Sequence, residues 1–214
     1  MQLILDNLAV FTRGMGTTVT LTLLSFVFAC VIGGVIATFR VSPIAPLRIF
    51  GACYVGLLRN TPLVVLIVLF FFGFTKLGFR YSSYSSAVIV LSVYTGAYVA
   101  EVIRSGINTV PNGQAEAARS LGLRFTQVLG SIVLPQAIRS VVAPLGNTLI
   151  ALTKNSAVAS LISVGELTFR ANNLASSTAR PLPSLAGAVI GYLILTLPTG
   201  ALVGVVERRV KLKR

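Results

Sequence analysis

Long apolar stretches set between short polar ones dominate the chain. The first runs from Met15 to Phe39, about 25 residues with no charge until Arg40. That is enough to cross a hydrocarbon core of ~30 Å as a helix, and too long for the apolar core of a signal peptide. Further apolar stretches occupy about 49–74, 85–103, 140–164 and 185–206. The second is interrupted by Arg59-Asn60-Thr61-Pro62, and the fifth holds Pro198 with the small-residue spacings Gly187xxxGly191 and Gly200xxxGly204, which permit close helix approach. The pattern predicts an all-α integral membrane protein with five transmembrane helices in one domain spanning 1–214.

Composition agrees. Of 214 residues, 55% are hydrophobic and 11% charged, with mean hydropathy +0.88, whereas a soluble domain carries roughly 25% charged residues. The net charge of +13 would suggest nucleic acid in a soluble protein; here it points to loops facing anionic lipid. An odd number of spans puts the termini on opposite sides. One side collects Arg40, Arg48, Arg104, Arg119, Arg124, Arg139 and the tail cations Arg208, Arg209, Lys211, Lys213 and Arg214. The other holds Arg13, Lys76, Arg80, Arg170 and Arg180. The excess of Lys and Arg places the C-terminus in the cytoplasm and the N-terminus outside. With no histidine, zinc sites of the HExxH type and His-based triads are excluded, and no GxxxxGK[ST] motif offers a phosphate loop. No metal or nucleotide is expected on this chain, and no enzymatic activity. Cys30 and Cys53 lie in apolar runs and read as buried thiols rather than a disulfide.

The stretch from about 105 to 139 is longer than a connection requires. Asn112 reads as a helix cap, Gln114 to Leu121 as a short helix, and Gly122 as its stop. Ala117, Ala118 and Leu121 would share a small apolar face. Phe125, Val128, Leu129, Ile132 and Val133 then follow at helical spacing until Pro135, which is expected to end that helix. Such a pair either lies on the membrane surface or docks a small face into a partner's groove.

Glu116-Ala117-Ala118, Gly122 and Ile132-Val133-Leu134-Pro135 resemble the EAA signature of ATP-binding-cassette (ABC) importer permeases, with every fixed position filled. Arg59-Asn60-Thr61-Pro62-Leu63, the tract Gly96 to Leu123, and Pro144-Leu145-Gly146-Asn147 resemble the polar-amino-acid branch of that family, and the likeness extends over roughly 12–207. The resemblance implies a MetI-like type I permease in a bacterial plasma membrane that works by alternating access. It implies a dimer of ATP-binding-cassette subunits, which hold the ATP and magnesium, an extracytoplasmic substrate-binding protein and a second permease subunit. It also assigns coupling to the ATPase to Glu116, Ala117, Ala118, Arg119, Leu121 and Gly122. Many members carry Leu-Lys-Asp in the fourth span, where this chain reads Thr153-Lys154-Asn155-Ser156. Loss of that carboxylate favours an anionic substrate. Together with the likeness to the smaller permease of actinobacterial glutamate uptake systems, it points to glutamate and, less directly, aspartate. Glutamine or a basic amino acid is the alternative within the family. A secondary transporter or a membrane scaffold is the alternative outside it, although no internal repeat supports the former.

Charged and polar groups within spans are functional suspects because burying them is costly. Arg59 and Lys154 could meet a substrate carboxylate, with Thr61, Asn147, Asn155 and Ser156 adding neutral hydrogen bonds. Glu166 or Glu101 could meet its ammonium group. The competing expectation is internal pairing: Arg59 with Glu101, Glu101 with Arg104 at i+3, Lys154 with Glu166, and Glu116 with Arg119.

Overall fold

The computed structural model describes residues 2–210, except for the side chains of Asn112, Phe125 and Val210. Lys211, Lys213 and Arg214, part of the charge count above, lie outside the described residues. Ten α-helices follow one another among the described residues: α1 (Gln2–Asp6), α2 (Leu8–Val41), α3 (Ala45–Arg59), α4 (Leu63–Lys76), α5 (Ser83–Asn108), α6 (Asn112–Ser120), α7 (Phe125–Val128), α8 (Leu134–Asn155), α9 (Leu167–Thr178) and α10 (Pro181–Val210). Four helical stretches, Leu8–Val41, Ser83–Asn108, Thr126–Ile162 and Pro181–Arg209, are each long and apolar enough to span a bilayer.

The second span in chain order is not one helix. α3 and α4 meet at 99°, because Asn60-Thr61-Pro62 cannot continue a helix: Pro62 has no amide hydrogen and pushes Thr61 out of the helical region. The side chains of Asn60 and Thr61 turn back onto the carbonyls of Gly56 and Leu57, at 2.7 and 2.8 Å, closing the last turn of α3. α3 therefore lies across α2 and α5, with Val55 and Leu58 packed among Ile36, Ala97 and Ala100, and α4 packs along α5 through Leu63 and Ile67.

The fourth span starts earlier than the apolar count suggests and is continuous through Pro135. The sequence expectation that this proline ends a helix is corrected by a π-helical turn, Leu129–Val133, which widens the backbone so that Leu134 donates to Leu129. Proline leaves one carbonyl without its usual i+4 donor, and the wider turn absorbs that defect. Past Asn155 the chain tightens into a 3₁₀ stretch, Ser156–Ile162, and stops at Ser163 in the left-handed region (φ 62°).

α5 is the central helix: Ala87, Leu91, Ala97, Val99 and Ala100 are fully buried, and α2, α3, α4 and α8 all pack on it. Small residues on α5 let these neighbours come close. On α10 the two small-residue spacings part ways. A Cβ at Gly187 would meet the Phe11 ring at 2.4 Å and one at Gly191 would meet Leu167 at 2.8 Å, whereas Gly204 faces open space and Gly200 meets only Ile150 at 3.7 Å. The first pair is a close approach to α2 and α9; the second is not used within this chain. Both cysteines are free; Cys53 is exposed on α3 and Cys30 half-buried on α2, so neither is buried as its apolar context suggested.

Candidate functional site: short exposed helix, ionic knot and polar stripe

α6 begins at Asn112 with Pro111 in the cap position (φ −61°, ψ 133°), so Asn112 is its first helical residue and not its cap. Its end is a complete left-handed stop: Gly122 takes φ +83°, its N–H donates to Arg119 at 2.9 Å, and Leu123 N–H donates to Ala118 at 3.2 Å. A side chain at Gly122 would be strained at that φ. The expected single apolar face divides in two. Ala118 is buried toward α7 and the π turn, the elements that α6 touches. Ala117, Glu116 and Arg119 are exposed, and Leu121 is 81% exposed. Arg119 donates to the Ala115 carbonyl at 3.2 Å; no Glu116–Arg119 ion pair forms among the described residues. Gln136 donates to Gln114 at 2.6 Å and fastens α6 to the start of α8.

Above this helix, where α5 leads down to it, Glu101 gathers three guanidinium groups. Arg104, one turn on, donates at 2.5 Å; Arg40, from the end of α2, also hydrogen-bonds the carboxylate; and Arg59, at the α3–α4 break, stands 3.8 Å away. The Arg59 guanidinium also lies 5.3 Å from the Tyr98 ring centroid, within cation–π range. Arg59 and Glu101 thus meet by the internal pairing anticipated from sequence. Arg40 and Tyr98 were missed; Tyr98, three residues before Glu101 and hence on its face, carried the only sequence signal. Arg40, Asn60, Arg59, Tyr98 and Glu101 line a cavity of about 440 Å³. Thr61 is half-buried in the adjoining turn.

The other sequence candidates fall on or near α8. Pro144, Asn147, Ala151 and Lys154 are all exposed and recur at intervals of three, four and three residues, which makes one stripe along the helix. Asn155 is half-buried and Ser156 fully buried, donating to the Thr153 carbonyl at 2.7 Å; both are off the stripe. No polar contact joins this stripe to Arg59 among the described residues.

Glu166 is elsewhere again. It is fully buried and caps α9, accepting from the amides of Thr168 (2.8 Å) and Phe169 (2.7 Å) and from the Tyr192 hydroxyl (2.8 Å). The expected Lys154–Glu166 pair does not form, because the backbone of α9 and Tyr192 take up the carboxylate while Lys154 points outward. With no solvent-accessible surface, Glu166 offers nothing to a substrate in this conformation. Burial pushes its carboxyl above the ordinary range, opposed by the three donors.

These features together are a core of long apolar helices with a short, largely exposed helix set between α5 and α8. Residues 29–212 match the family described as binding-protein-dependent transport system inner membrane component, and the chain belongs to that family. It is similar to the glutamate transport system permease protein GluC of Corynebacterium efficiens, with 41% identity over 92% of this chain and 92% of that protein. It is also similar to the probable glutamine ABC transporter permease protein GlnM of Bacillus subtilis, with 33% identity over 98% and 97%. The crystal structure of an amino acid ABC transporter with histidines superposes with a TM-score of 0.92 at 33% identity, covering 96% of both chains. The chain is an ABC importer permease for amino acids with the MetI-like fold, a multi-pass plasma-membrane subunit that works with a separate ATPase and a substrate-binding protein.

Proposed function

We propose that this chain is a permease for glutamate, with aspartate as a second acidic substrate, in a complex that holds a second, different permease subunit. The observation that carries the reading is the α8 stripe. A lysine and an asparagine exposed along an apolar span are costly against lipid, so Asn147 and Lys154 face a polar pathway and not the bilayer. No acidic residue shares the stripe, so its field is positive and attracts a carboxylate. The likeness to GluC supports the same substrate. The likeness to GlnM favours glutamine as the second reading, with Lys154 then meeting the α-carboxylate alone.

The outward faces of Glu116, Ala117, Arg119 and Leu121 dock the ATPase subunit, where ATP and magnesium are held. Gln114–Gln136 and the Gly122 stop keep α6 rigid, so displacement of α6 reaches α5 and α8 directly. The C-terminus lies on the ATPase side and the N-terminus outside. The loaded binding protein delivers glutamate to the outer face, ATP closes the nucleotide-binding subunits, and the permease pair alternates between outward- and inward-facing states. Uptake of radiolabelled glutamate into vesicles holding this chain, its partner permease and the ATPase tests the reading. Uptake should require ATP and binding protein and yield to aspartate but not arginine. Competition by glutamine alone would move the assignment to the second reading.

A further inference from the structure

The ionic knot at Glu101 is out of balance: three guanidinium groups share one carboxylate. Glu101, Arg40 and Arg104 retain 25%, 17% and 31% side-chain exposure, against 43% for Arg59, so the surplus positive charge is only partly hydrated. The Arg104 Nε is buried with no hydrogen-bond partner, a further sign that the cluster has more donors than acceptors. The three links are also unequal. Arg104 is at 2.5 Å and Arg40 is hydrogen-bonded, whereas Arg59 stands at 3.8 Å, beyond hydrogen-bonding distance. Arg59 sits at the sharp break between α3 and α4, faces a cavity of about 440 Å³, and lies over the Tyr98 ring. That volume falls within the ~300–1,000 Å³ typical of small-molecule sites. Asn60, which also lines the cavity, gives one amide hydrogen to the Gly56 carbonyl and carries a side-chain oxygen that can accept.

We infer that this cavity is a carboxylate site in which Arg59 changes partner: Glu101 holds it when the site is empty, and a carboxylate of the transported amino acid takes it over when the site is filled. Glu101 stays tied to Arg40 and Arg104 throughout and acts as a positioning residue for Arg59. The inference rests on the reading of Arg59 as a pathway residue. Guanidinium is suited to the exchange, because its planar fork pairs a carboxylate with two parallel hydrogen bonds. The resident contact with Glu101 is long and water-exposed, hence weak and easily displaced.

Equilibrium binding of radiolabelled L-glutamate to the purified complex of this chain, its partner permease and the ATPase, without binding protein, tests it. Arg59→Gln should weaken glutamate binding by about 10- to 100-fold, as expected for loss of a charge-assisted pair. Glu101→Asp retracts the competing carboxylate by one methylene, keeps its charge for Arg104 and Arg40, and should tighten binding by about two- to fivefold. Glu101→Gln should tighten it in the same direction wherever the complex still assembles by size exclusion. Glutarate, which has two carboxylates and no ammonium, should compete in the wild-type complex. Unchanged binding in Arg59→Gln would overturn the pathway reading itself. Weaker binding in Arg59→Gln with unchanged or weaker binding in Glu101→Asp would leave that reading standing and overturn the exchange. A complex that binds glutamate but is indifferent to glutarate would overturn the carboxylate class.

Discussion

Glu101 and Glu166 are carboxylates in a chain that has only five acidic residues, and the fold neutralises them by opposite means. Glu101 is surrounded by cations on long side chains: arginines from α2, from the α3–α4 break and from its own helix. Glu166 has no cation among its hydrogen-bond donors; two backbone amides and one phenol satisfy it. Amides at a helix start are rigid dipoles that cannot be exchanged, whereas long arginine side chains can leave and return. The cap is therefore built for permanence, pinning α9 to α10 through Tyr192 and Thr168. The knot joins three elements by contacts that allow rearrangement, on the helix that leads directly to α6. One acid closes a helix end; the other ties arginines from separate elements together.

Replacing each in turn separates the two roles. Glu166→Ala removes a cap and leaves two amides and a buried phenol without their acceptor; it should cost roughly 3 kcal/mol, read as a lowered unfolding temperature of the complex in detergent. Glu101→Ala leaves three partly hydrated cations together and should cost less, about 2 kcal/mol after discounting for exposure, while reducing uptake more than the loss of folded protein explains. An inverted order of the two stabilities would break the comparison. Tyr192→Phe removes one donor to Glu166 and should cost about 1 kcal/mol without altering glutamate binding.

The smallest effect is a pH slope. Glu166 lies between the fourth and fifth spans and its carboxyl is raised in the folded state, burial being the largest cause. A raised acid binds its proton more tightly folded than unfolded, so its stabilisation is complete below the unfolded carboxyl value and is lost as pH rises through the folded one. Stability should therefore decline with rising pH across that window in the wild type, and Glu166→Gln should flatten the slope. An unchanged slope in Glu166→Gln would assign the dependence to another group.

Several elements could be read directly. The apolar stretches marked where long helices run because lipid imposes a length on them, and Gly122 announced a left-handed stop that only a residue without Cβ adopts freely. The Arg59–Glu101 meeting was one of two readings because an unpaired charge in a span is expensive. Other features were hidden. Glu166 looked like a pathway acid because its capping role depends on where α9 begins, and a Glu cap is less common than Ser, Thr, Asp or Asn. Pro135 looked like a terminator because a π turn leaves no mark in local composition. The shared face of Ala117, Ala118 and Leu121 divided because burial depends on which neighbour α6 leans against.

What the sequence determined by itself was everything that follows from local chemistry and a single solvent boundary: apolar length, the interruption at Pro62, the signature of the family and the excess of cations. The tertiary structure alone decided how sharply the α3–α4 break bends, which of the arginines reach Glu101, and that Glu166 closes a helix and Lys154 does not pair with it. Those outcomes hang on distances between residues up to 61 positions apart, as Arg40 and Glu101 are. Local propensity carries no information about such contacts; packing of the helices onto α5 creates them.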